Sequence, residues 1–203
     1  VLDNNLDIAV GGFFFFLWKK TFKQENSLPF GTLPIGIAKA LLSEKLQISL
    51  CGKIFKKSLF KDVSVPMNLK IGEDALTVIQ VCGFTTKIGV LQDPIYYYVQ
   101  RESSVMHNPS KIAIQSRVEF VGLVDQFYKN KDYFFDKEFQ IFYGRWLMNE
   151  YFAYLRMGGN TSNFDQRLIE CINGVYLENS KSISLLPKWR IIFLKAYRIS
   201  PVI

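Results

Sequence analysis

Two apolar stretches open the chain, Leu6 to Val10 and Phe13 to Phe22, both rich in β-forming residues and parted by Gly11-Gly12. That pattern predicts a strand, a bend or bulge, and a second strand. Phe13 to Phe16 form an unbroken aromatic run, which predicts burial on both faces of the sheet. After Pro34, IGIAKALLSEKL alternates apolar and polar residues at helical spacing. Gln47 to Leu50 has the composition of a short strand leading into CGKIFKKSLF. From Glu73, EDALTVIQVCGF carries a helical stripe that places Glu73 and Asp74 in a first turn. Lys87 to Leu91 and Ile95 to Val99 then suggest two short strands separated by a turn at Asp93-Pro94.

Beyond Pro109 the pattern becomes helical, with Ser110 as the expected N-cap and Ile114, Val118, Val121, Val124 or Asp125, and Tyr128 along one face. Lys137 to Met157 is apolar on nearly every side, as a sandwiched helix is, and Gly158-Gly159-Asn160 would end it. A further helix is expected from Ser162 or Asn163 to about Leu177, and PKWRIIFLKAYRI over 187–199 has the outline of a basic amphipathic helix. The expected class is therefore α/β over residues 1–109, followed by a helical region over 110–203.

Composition narrows the setting. A chain of 203 residues with 49% hydrophobic and 21% charged residues can bury a core, and no stretch has the low hydropathy and high charge of a disordered segment. Cys51, Cys82 and Cys171 are distant and odd in number, which favours free thiols in a reducing, cytoplasmic setting. The longest apolar run, Val10 to Trp18, falls short of the roughly 20 residues of a spanning helix. The net charge of +7 admits an anionic partner, although it is spread along the chain in the manner of a solvated surface.

Three strings carry the chemistry, in a fixed order: CGKIFKKSLFK at Cys51 to Lys61, IGEDALT at Ile71 to Thr77, and YYYVQRESSVM at Tyr96 to Met106. Together they resemble the second half of the family 2 glycosyltransferases that build bacterial polysaccharides, over about residues 1 to 110. The matching positions are Gly52, Lys53, Phe55, Lys56 and Lys57, then Glu73 and Asp74, then Tyr97, Tyr98, Arg101 and Ser104. Val99 and Ser103 depart from the family, which often has Arg and Gly there.

The resemblance implies a partial GT-A fold, the nucleotide-diphospho-sugar transferase fold, with a helical C-terminal region. It also implies an inverting transfer of hexose or hexosamine from a nucleotide sugar to a glycan or lipid-linked acceptor. Asp74 would be the general base, because a helix start favours an ionised carboxylate, and Glu73 would orient the acceptor or a neighbouring side chain. Lys53, Arg101, Ser104 and Tyr98 would bind substrate, with Arg101 offering a planar fork to phosphate. The family's Asp-x-Asp string, which holds Mg²⁺ or Mn²⁺, occurs nowhere in the sequence. Asp3 and Asp7 lie too close to the first strand to replace it, so metal ligands are expected mostly outside this chain, which would be inactive alone.

Each feature also has a plainer explanation. Acidic residues cap helices, Lys56, Lys57 and Lys61 suit a solvated face, and His107 suits an ordinary loop. Aromatics from Phe127 to Phe152 sit in helical stripes and suit core packing better than a stacking platform. The alternative function is a non-catalytic basic helical module for oligomerisation, or for nucleic-acid or membrane-surface binding. Nucleic acid is the less favoured partner. Membrane contact through 187–199 at the inner face of the plasma membrane, and a homo-oligomer, are compatible with either function.

Overall fold

The computed structural model describes residues 5–17, 20–24, 28, 33–43, 45–99, 111–131, 138–139, 141–142, 145–146, 188–189 and 192. They form a mixed α/β arrangement in which a four-stranded mixed sheet carries helices on one side.

The first strand, β1 (Ile8–Leu17), is central. Along one edge it pairs in parallel with β4 (Ile88–Val99), Ile8 opposite Ile88 and Phe16 opposite Val99. Its other edge is shared by two antiparallel strands: β3 (Lys53–Phe55) lies beside Ile8 to Val10, and β2 (Lys20–Gln24) beside Phe13 to Leu17. Gly11-Gly12 falls at this change of partner, so the chain runs on as one strand with a bulge and not as two.

The expected turn at Asp93-Pro94 is also corrected, because β4 passes straight through it. Pro94 stands opposite Gly12, where the register shifts between Val10/Val90 and Phe13/Tyr96. A bulge is where a sheet tolerates a residue without an N–H, so the turn signal marked a bulge. The expected strand at Gln47 to Leu50 is absent as well, and pairing begins only at Lys53.

The Phe run is not buried on both faces. Phe13 is buried, but Phe16 is 45% exposed, because the described helices cover only the Ile8 to Val10 half of the strand. Cross-strand rings stabilise the rest: Phe13 meets Tyr96 edge-on, Phe14 stacks on Tyr97 with centroids 4.7 Å apart, and Phe15 tilts against Tyr98.

Helices α1 (Pro34–Leu42) and α2 (Glu73–Gly83) form where the helical spacing predicted them. Ile37, Leu41, Val78 and Val81 pack onto Ile8, Val10, Ile88 and Val90 of the sheet. The opposite side of α2 meets α3 (Lys111–Lys129), and Leu42 of α1 joins Leu76, Ile79, Phe120, Val124 and Phe142 in a second core. Buried Gln80 within α2 is satisfied by Ser64, whose N–H and C=O it pairs at 2.8 and 2.7 Å.

Of the later expected helices, residues 138–139, 141–142 and 145–146 are helical, as are Lys188, Trp189 and Ile192, which are exposed. The Ser110 cap and the helix over 163–177 lie outside the described residues. No described helix is long and apolar enough to cross a membrane.

Asp7 fastens the front of the sheet. Its carboxylate accepts from Lys56 Nζ at 2.5 Å and Thr85 Oγ1 at 2.7 Å, and these bonds hold it below the usual carboxylate range. A depressed carboxylate stabilises the fold above its unfolded pKa of about 3.9, and that contribution disappears as pH falls through the lower folded value. Asp7→Asn should therefore cost about 1 kcal/mol at pH 6, limited by the exposure of Lys56, and little at pH 2. Urea midpoints of both forms across that range measure it.

Candidate active site

The site begins at a tight turn before β3. Gly52 has φ +66°, and a Cβ there would lie 2.9 Å from the Phe13 ring, so this turn closes only over a glycine. The closure directs Lys53 inward. Its ammonium donates to the carbonyl oxygens of Ser49 at 2.6 Å and Cys51 at 3.4 Å, and sits 6.0 Å from the centre of the Phe13 ring. Burial lowers the Lys53 pKa to about 8, while Asp74 is close enough to favour the charged form. Cys82 is nearby too, but burial pushes its thiol up to about 12. It is neutral at ordinary pH, which leaves Asp74 as the carboxylate in this set.

Asp74 is positioned by the start of α2. The residue before the helix, Gly72, has φ +96° and no side chain with which to cap it. Asp74 provides a cap from within the first turn, where its half-buried carboxylate accepts the Ala75 N–H through Oδ1 at 2.7 Å. The approach to Gly72 is tied to α3, because Ser116 Oγ accepts the N–H groups of Lys70 and Ile71 at 2.7 and 3.0 Å. Glu73 is exposed, and its backbone carbonyl accepts the Thr77 hydroxyl at 2.7 Å.

The third string arrives along β4. Interaction with Cys51 raises the Tyr96 phenol pKa. Tyr98 lies on the same face of the strand as Tyr96 and is half-buried against Phe15. Lys53 is thus within electrostatic range of Asp74, and Tyr96 interacts with Cys51, the residue that precedes Gly52. Arg101 and Ser104 lie outside the described residues, as does His107. The sequence pattern did not single out Cys51 or Phe13, and the signal that could have found them is Gly52, since a glycine between two candidate residues invites the question of what passes beneath it.

Chemically, the set holds a carboxylate at a helix start and an amine whose pKa burial lowers to about 8. No group of three or more His, Cys, Asp or Glu among the described residues is arranged to hold a metal ion.

Acylation by an amine-selective reagent, followed residue by residue in mass spectra, should give Lys53 a rate midpoint near pH 8, against about 10.4 for an ordinary lysine. Asp74→Asn should move that midpoint lower, because the carboxylate pulls against burial. An unmoved midpoint would show that the two groups do not interact. With a lowered amine pKa the sign of linkage is fixed: the fold gains stability as pH rises from about 8 toward 10.5, where the unfolded chain holds more protons.

No family model matches the chain, and no curated protein matches it significantly.

Proposed function

We propose that the chain is the acceptor-side part of an inverting glycosyltransferase of the family 2, GT-A type. It would transfer a hexose or hexosamine from a nucleotide sugar to a glycan or lipid-linked acceptor. The observation that carries this is that Lys53, held in the Gly52 turn, lies within electrostatic reach of Asp74 at the start of α2, while Tyr96 of β4 interacts with Cys51 in the same turn. Asp74 is the base. Oδ1 stays on the Ala75 N–H, and Oδ2 takes the proton of the acceptor hydroxyl as its oxygen attacks the anomeric carbon and the nucleotide diphosphate departs. Glu73, exposed beside it, orients the acceptor. Lys53 is bound to two carbonyls of its own turn, and Tyr98 gives the sugar an aromatic wall. Mg²⁺ or Mn²⁺ on the donor diphosphate would be held mainly by residues other than those of this chain, and Arg101 and Ser104 keep their assignment to substrate.

A second reading rests on Lys188, Trp189 and Ile192, which are helical and exposed. In it the chain is a basic module that oligomerises or lies on an anionic membrane at the cytoplasmic face.

A transfer assay tests the first reading against the second. The polypeptide that carries this sequence is incubated with labelled UDP- and GDP-hexoses, Mn²⁺ and a membrane extract, and label is followed into glycan. Transfer that depends on Asp74 supports the enzyme. Absence of transfer, with vesicle binding that falls steeply as salt rises, would replace it by the basic module.

A further inference from the structure

Helices α1 and α2 lie against one face of the sheet, where Ile8, Val10, Phe55, Ile88 and Val90 meet them. Side chains alternate along a strand, so the residues between these belong to the opposite face. Ile54 stands there, opposite Ala9, and so does Ile95, whose side chain fills the place that a Cβ on Gly11 would need. Beyond the bulge, Phe13 and Phe15 stack together on the Lys53 side of the sheet, which leaves Phe14 and Phe16 on the other. Their cross-strand partners Tyr97 and Val99 share that face.

The result is one apolar stripe along β1. Tyr97 is 66% exposed, and Ile54, Ile95, Phe16 and Val99 are 44% to 57% exposed. Together they present on the order of 500 Å² of apolar surface, at the upper end of what a monomer leaves bare. With the residues around them, they approach the roughly 800 Å² that each partner gives to a stable interface. No charged residue stands within the stripe in the described strands; Lys23, opposite Phe14 on β2, and Asp93, in the bulge before Ile95, flank it. One charge of each sign gives little pull toward an anionic lipid or a nucleic acid.

We propose that this face is the interface between two copies of the chain, packed sheet to sheet with Tyr97 near its centre. Parallel strands are ordinarily covered on both faces, and α1 and α2 cover one face of the β1–β4 pair. A flat, elongated apolar face is also complementary to itself: facing sheets interdigitate about 10 Å apart, and a twofold axis sets the aliphatic end of one stripe over the aromatic end of the other. The interface rests on neither reading of function. Asp74→Asn should leave it unchanged, and it should hold or tighten as salt rises, whereas contact through a basic surface weakens.

Sedimentation velocity of the full chain between about 1 and 100 µM should show a monomer giving way to a dimer. Tyr97→Lys and, separately, Ile54→Lys should each raise the dissociation constant by about 10-fold or more, while circular dichroism and thermal melting confirm that each variant is folded. Mixing Tyr97→Lys with Tyr97→Glu should restore a dimer that neither forms alone, which damage to the fold would not do. A parent chain that stays monomeric at about 100 µM overturns the proposal, and its association with neutral phosphatidylcholine vesicles would then give the face to lipid. A dimer that both folded lysine variants leave unchanged overturns it as well.

Discussion

In the polypeptide that carries this sequence, Asp74→Asn should reduce sugar transfer roughly 10³-fold while leaving donor binding almost unchanged, as expected when a general base is lost. The substitution is informative because asparagine keeps an oxygen that can accept the Ala75 N–H. The helix start therefore survives, and the stability cost should stay below about 1 kcal/mol. What disappears is the capacity to take a proton. Glu73→Gln, at the exposed neighbouring position, should cost less than about 10-fold and act on acceptor KM more than on kcat. Initial rates with donor and acceptor varied separately measure both. Ordinary turnover in Asp74→Asn would remove the residue from catalysis.

Gly72→Ala should lower stability by about 2–4 kcal/mol, the largest single-residue effect expected on the fold. Two costs combine. A φ of +96° disfavours any L side chain by about 1–2 kcal/mol. A Cβ at this position would also lie 2.6 Å from Phe120 Cγ, at the base of a ring that packs edge-on to Phe142 and tilted against Trp146. Phe120 is fully buried, so relief requires core side chains to move at a further cost of about 1–3 kcal/mol. For a chain of this size the melting temperature should fall by roughly 5–15 °C. Gly72→Ala should also impair transfer in whatever fraction remains folded, because the strained residue sets the direction from which Asp74 enters the helix. A melting temperature within 2 °C of the parent chain would show that Phe120 and the turn yield easily.

How much of this was legible in the sequence depended on the range of the interaction. α1 and α2 were legible because helical periodicity is local and survives without knowledge of the partners. Glu73 and Asp74 were placed in a first turn for the same reason. The errors arose where a distant strand decides. Asp93-Pro94 suggests a turn locally, yet Gly12, some eighty positions away, converts it into a bulge. Phe13 to Phe16 suggest burial on both faces, but which strands and helices flank each half of β1 cannot be read from that strand alone. Lys53 was marked as a substrate contact by its place in a motif. Its hydrogen bonds to Ser49 and Cys51 follow from the closed turn over Phe13, which no spacing rule contains.

The pairing of Ile8 with Ile88 also governs how the chain must assemble. A ribosome delivers the central strand about eighty residues before the neighbour that runs along its full length, so the nascent polypeptide holds its sticky phenylalanines without their tyrosine partners for several seconds. Stalled or truncated products that end before β4 would be natural clients for holdase chaperones.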